Sequence, residues 1–183
     1  MDRPLPEPTS PLAAFCRELI LRLESHSPAI LPTDEAALEI GMLWTTVDAM
    51  DKPEGIDIRR HPWRRREFEQ GWATAKAEHC ADVFGTRHTA DMYFLIPKGR
   101  GISVDVKLAK MRRKNTMPNV ELQTLIGQCF LSKLRHDYAV GLFGHYRPLR
   151  VPPKWHRDTV ALAAALGRNR IYLVFKDLSG LTR

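Results

Sequence analysis

The sequence predicts an α/β domain, a mixed central β-sheet flanked by helices, with an N-terminal helical extension. Three observations carry this. Apolar residues recur at helical spacing through the first part of the chain, the period changes to two near residue 88, and a strand–helix–strand pattern closes the chain. The closing unit predicts at least one parallel strand pair reached through a crossover helix.

The elements follow in order. Residues 1–10 form a proline-rich flexible tail. Leu12, Phe15, Leu19 and Leu23 share one helical face, which predicts a helix over 11–25. Pro28, Pro32 and Thr33-Asp34 mark a loop and a second helix start, and Ala36, Ile40, Leu43, Val47 and Met50 stripe a helix over 34–50. The stretch "DKPEGIDIRRHP" breaks the pattern. A third helix is expected over 62–84, with Pro62 at its first position, an apolar stripe of Phe68, Trp72, Ala75, His79 and Val83, and Gly85 closing it. Strands are expected over 88–96 and 102–109, joined as a hairpin by the turn residues "PKGRG". A basic loop leads to a helix over 119–136, a strand over 138–146, a helix ending at Gly167 and a last strand over 170–178. The domain organisation read from this is a tail (1–10), a helical extension (11–56) and a main domain (57–183).

The chain has 183 residues, enough for one full-sized core. With 44% apolar and 27% charged residues it falls in the soluble globular class rather than the disordered one. No apolar run approaches the roughly 18–20 residues of a membrane span, and "MDRPLPEPTSPLAAF" lacks the pattern of a secretory signal. Cys16, Cys80 and Cys129 are widely spaced and odd in number, so they define neither a metal knuckle nor a disulfide framework. Buried thiols in a reducing cytoplasm are expected. The histidines lack zinc-site spacing, and no phosphate-binding glycine loop or G-x-S-x-G elbow occurs.

The net charge of +7 is clustered. "RRHPWRRR" carries five arginines, and "KGRGISVDVKLAKMRRK" carries seven Lys or Arg against one Asp. Such patches favour a polyanionic partner, nucleic acid before an anionic membrane; the alternative on charge alone is a solvated face that aids solubility.

The strand "GISVDVKLAK" raises a chemical question. Period two places Ile102, Val104, Val106 and Leu108 on one face and Ser103, Asp105, Lys107 and Ala109 on the other. The hairpin brings Asp91 roughly opposite the Asp105–Lys107 region. Two carboxylates converging in a sheet repel unless a cation lies between them, and all-oxygen ligation suits Mg²⁺ or Mn²⁺. Lys107 can stabilise an attacking oxygen or hold a water. Carboxylates, a divalent ion and an ammonium group are the equipment of metal-assisted phosphodiester hydrolysis. The plain alternative is an Asp105–Lys107 ion pair on a half-exposed strand.

Asp91, the hairpin and Asp105-Val106-Lys107 together resemble the PD-(D/E)xK nuclease superfamily, the restriction-endonuclease-like fold, with Ala90 standing where the motif has proline. That family's core order is usually written α-β-β-β-α-β, which this chain supplies only if one further strand exists or is missing. The resemblance covers about residues 62–178. It implies a Mg²⁺- or Mn²⁺-dependent nuclease acting on nucleic acid, DNA more than RNA. Asp91, Asp105, the carbonyl of Val106 and Glu69 (or Glu67 in its place) would hold the metal, and Lys107 would assist the water. Gln128, in "IGQCFLSKL", would orient the lysine or the water, with Ser132 where the family has an aromatic residue. Arg64, Arg65, Arg66, Lys110, Arg112, Arg113 and Lys114 flank the site and are expected to hold phosphates. The rival expectation is a catalytically inactive member of the fold that binds nucleic acid or a protein. A homodimer or a place in a larger complex is expected, and no membrane partner.

Overall fold

In a computed structural model of the chain, residues 5–61, 73–97, 99–109, 119–146 and 153–181 are described. Ser10 starts the first helix, α1 (Pro11–Ser25). Its Oγ accepts from the Ala13 amide at 3.1 Å, and Pro11 fills a position that needs no amide donor. Asp34 does the same for α2 (Glu35–Leu38), accepting from Ala37 N at 2.8 Å. The helix then widens into a π-helical turn, Glu39–Trp44, and resumes as α3 (Thr45–Asp48). Trp44 Nε1 donates to Glu39 Oε1 at 3.0 Å inside that turn.

The strands are β1 (Asp57–Arg60), β2 (Ala73–Thr74), β3 (Ala81–Val83), β4 (Thr86–His88), β5 (Met92–Leu95) and β6 (Ile102–Leu108), followed by α4 (Asn119–Lys133), β7 (Tyr138–His145), α5 (Pro153–Arg168) and β8 (Ile171–Asp177). Among the described residues they form a six-stranded sheet, in the order β2-β1-β5-β6-β7-β8, and a separate ribbon of β3 and β4. β1, β5 and β6 are antiparallel neighbours, whereas β6, β7 and β8 run parallel. The steps from β6 to β7 and from β7 to β8 pass through crossover helices, α4 and then α5, as parallel pairing demands, and β1 also pairs in parallel with β2. The molecule is thus a mixed α/β fold around a mixed sheet. From α2–α3 onward the main elements read helix, three antiparallel strands, helix, parallel strand, with the β3–β4 ribbon inserted after β1.

Two expectations are corrected. The described part of the expected 62–84 helix, residues 73–84, is β2, a single 3₁₀ turn (Ala77–His79) and β3. Only Cys80 and Ala81 are buried there. Pairing with β4, including an Asp82–Arg87 contact at 2.9 Å, overrides the helix-forming alanines. The stretch read as a break contains β1, whose Ile58 is buried.

The two faces of the sheet are packed differently. On one lie α1 and the α2–α3 segment. Phe15, Leu19, Leu23, Leu38, Met42 and Val47 meet Val104, Val106, Leu142 and Val174 in one large core, and the Phe15 and Phe94 rings touch edge to face at 5.2 Å. The N-terminal helices therefore belong to the main core. Each such side chain contributes about 1.5–3 kcal/mol by burial. On the other face lies a smaller cluster, in which Leu125 and Cys129 of α4 and Leu166 of α5 meet Ala109, Ala139, Phe143 and Ile171. Gly141 of β7 admits α4 this closely, since a Cβ there would stand 3.0 Å from Cys129 Sγ and 2.8 Å from Leu173 Cδ2. All three cysteines are buried free thiols. No helix among the described residues is long and apolar enough to cross a membrane.

Candidate active site

The pairing of β5 with β6 sets Met92 against Val104, Tyr93 against Ser103 and Phe94 against Ile102. Continued by one residue, this register puts Asp91 across from Asp105. The chain bends at Asp91, however, and β5 ends. Asp91 N donates to Val104 O (3.0 Å), and Asp91 Oδ2 accepts from Val106 N at 2.8 Å. The carboxylate thus replaces the next rung of the ladder, at the edge of β6 where β5 no longer covers it. Amide and carbonyl of one strand residue leave on the same side, so the Val106 carbonyl faces this same edge.

Asp105 is 2% exposed and points toward α4. Ser132 Oγ donates to Asp105 Oδ2 (3.0 Å). His88 Nε2 lies 2.9 Å from Ser132 Oγ and 3.3 Å from Asp105 Oδ1. With the serine proton committed to Asp105, the imidazole N–H serves both the serine oxygen and the carboxylate. Lys107 goes elsewhere: its Nζ donates to Glu35 Oε2, 2.9 Å away at the start of α2. The structure therefore brings Asp91 to the backbone of the D-x-K segment, but engages Asp105 and Lys107 with separate partners.

Gln128 lines an open cleft together with His61, Lys76, Cys80, Arg87 and His88. Its Oε1 is buried without a hydrogen-bond partner among the described residues. Such an acceptor is costly unless something donates to it. Neither Asp91 nor Asp105 lines this cleft; its lining reaches them through His61, whose N donates to Asp91 O at 3.0 Å, and His88, which touches Asp105.

Beneath the cleft the environment is dry. Burial pushes the Tyr93 hydroxyl well above its usual range, and its oxygen accepts from Ala90 N at 2.6 Å. Burial lowers His136 to about 4; its Nε2 donates to His79 O at 3.0 Å, and its Nδ1 has no partner among the described residues. His136 is therefore a neutral imidazole at pH 7, 5.0 Å from the Tyr93 ring. Burial likewise raises the Cys129 thiol and lowers the Lys133 amine.

The donors suit a hard divalent cation in kind: the Asp91 and Asp105 carboxylates and the Val106 carbonyl supply oxygen only. Among the described residues, no group of three or more His, Cys, Asp or Glu could hold a metal ion. Glu69 and its rival Glu67 lie outside the described residues, as do Arg64, Arg65, Arg66, Lys110, Arg112, Arg113 and Lys114. Sequence reasoning missed Glu35, His88 and Ser132. Glu35 stands beside the cap residue Asp34 but 72 positions from Lys107. His88 carried no signal, and Ser132 was visible only as a small polar residue in an aromatic's place. Comparison with protein-family models, curated proteins and solved structures finds no match.

Proposed function

We propose that this chain is a metal-dependent nuclease of the PD-(D/E)xK type, hydrolysing phosphodiester bonds in nucleic acid, with DNA the expected substrate and the cytoplasm its setting. The observation that carries the reading is the Asp91 carboxylate on the Val106 amide. It puts an acid beside Asp105-Val106-Lys107 at the open edge of a central strand. The helix, three antiparallel strands, helix, parallel strand order agrees with the core of that restriction-endonuclease-like fold, and β1 answers the need for a further strand.

In this reading Asp91, Asp105 and the Val106 carbonyl would hold Mg²⁺ or Mn²⁺, with Glu69 as the expected fourth contributor. Such an ion supplies Lewis-acid stabilisation of the attacked phosphate and a more acidic water. Lys107 holds the attacking water or the developing negative charge. Gln128 presents a buried acceptor to a donor in the cleft, and the basic runs on either side bind phosphates without reading sequence.

The test is incubation with plasmid, single-stranded DNA and RNA in Mg²⁺, Mn²⁺ or chelator. Cleavage that requires the metal and falls about 10²–10³-fold in Lys107→Ala supports the reading. Equal cutting by parent and Lys107→Ala would sink it.

A second reading, a catalytically inactive protein of this fold that binds nucleic acid or a protein, is favoured by one observation. Both Asp105 oxygens are already engaged, by Ser132 and His88. Binding of Mn²⁺ followed by calorimetry separates the two. Uptake lost in Asp91→Ala favours the enzyme, and no uptake by the parent favours the binder.

A further inference from the structure

The β3–β4 ribbon turns on Phe84 and Gly85, whose φ angles are 51° and 76°. Two positive φ values at the centre of a two-residue hairpin loop suit strand twist, and Asn-Gly or Asp-Gly is the usual occupant. Phenylalanine is a poor choice there, because its Cβ crowds the backbone in the left-handed region. Nor does packing compensate, for the side chain is fully exposed, at 102%. An aromatic ring is thus held out into solvent on a strained residue, and such outliers cluster at functional sites.

Its position gives it a use. Asp82 pairs with Arg87 and Val83 with Thr86, and the returning strand carries Arg87 and His88 into the cleft wall. His88 in turn touches Asp105 and Ser132. From His88 to the tip is about 10 Å at the rise of a strand. Asp82, Gly85, Thr86 and Arg87 around the ring are exposed and lack large apolar side chains. A protein interface centres on a cluster of desolvated anchor residues rather than one isolated ring, and a membrane anchor needs several apolar side chains. A single exposed ring three residues before Arg87, which lines the cleft with Lys76 and pairs with Asp82 at 2.9 Å, has the make-up of a base-stacking platform next to a phosphate path.

We infer that Phe84 stacks against an unpaired nucleobase of the substrate and directs a single strand, or the frayed end of a duplex, into the cleft. This rests on the nucleic-acid reading above. The test measures anisotropy of fluorescein-labelled oligothymidylate and of a blunt duplex, in chelator so that cleavage plays no part. Parent, Phe84→Ala and Phe84→Trp are compared. Phe84→Ala is expected to weaken single-strand binding about 5- to 100-fold while changing duplex binding less than about twofold, and Phe84→Trp to restore it. Single-strand affinity unchanged in Phe84→Ala, or an equal loss on both ligands, overturns the inference and leaves the nucleic-acid reading standing. A parent that binds neither ligand overturns both.

Discussion

The two faces of the sheet are built from the same strands to different ends. The face under α1 and α2–α3 is mostly apolar, from Leu12 to Leu178, with Glu39, Thr46 and Lys176 as buried polar residues on that side. The face under α4 carries Ser103, Asp105, Ser132 and His136 within its buried layer, beside a cluster of seven buried apolar residues among those described. A chain that needed only stability would have filled both faces alike, because each buried polar group must find partners merely to break even. The first face holds the strands in place, and the second positions polar groups against them. Period two on β6 is what allows one strand to serve both.

The contrast can be broken by substitution. The largest effect is expected from Asp105→Asn on the polar face. Cleavage should fall by at least about 10²–10³-fold while the circular dichroism spectrum stays that of the parent. Leu19→Ala on the apolar face should do the reverse. It should cost about 2–5 kcal/mol in a urea titration, because Leu19 is fully buried, and leave cleavage per folded molecule unchanged. If Leu19→Ala lowered that specific activity as far as Asp105→Asn, the division of labour would be wrong.

A pH series sharpens the comparison. His136 titrates near 4 in the fold against 6.5 when free. Between those values the unfolded chain binds a proton that the folded chain refuses. Stability should therefore fall as pH drops from 6.5 to 4, by about 3 kcal/mol in all, and this contribution should level off below that window. His136→Gln, which keeps a donor for His79 O, should remove most of that slope. An unchanged slope in this variant would mean that His136 is not the group responsible. The smallest effect is expected from Glu35→Gln. Glu35 and Lys107 are partly exposed, with side chains 38% and 19% accessible. Thermal stability should shift by no more than about 0.2–1 kcal/mol. A larger change in cleavage than in stability would show that the pair sets the position of Lys107.

Much of the architecture was legible because it rests on periodicity. The stripe Leu12, Phe15, Leu19, Leu23 and the alternation along β6 fall where the structure has α1 and a strand with two unlike faces. What escaped was short or set by distant partners. β1 has four residues, of which Ile58 alone is a buried apolar one, too little for a period to register. The alanines of 73–84 favour a helix locally, and only the returning β4 strand makes that stretch extended. In the site, the Asp91 and Asp105 register followed from the hairpin. No spacing rule links Lys107 to Glu35, or Asp105 to His88, since each pair is assembled by tertiary packing alone.

The widened turn at Glu39–Trp44 has one more consequence. A π turn accommodates an extra residue without disturbing the helix on either side. Removing one residue there would leave Val47 and its neighbours seated while turning Glu35 about 100° around the axis, away from the Lys107 amine. A single-codon deletion in this stretch would thus disconnect the first acidic group of α2 from the sheet and leave the hydrophobic packing of α3 intact.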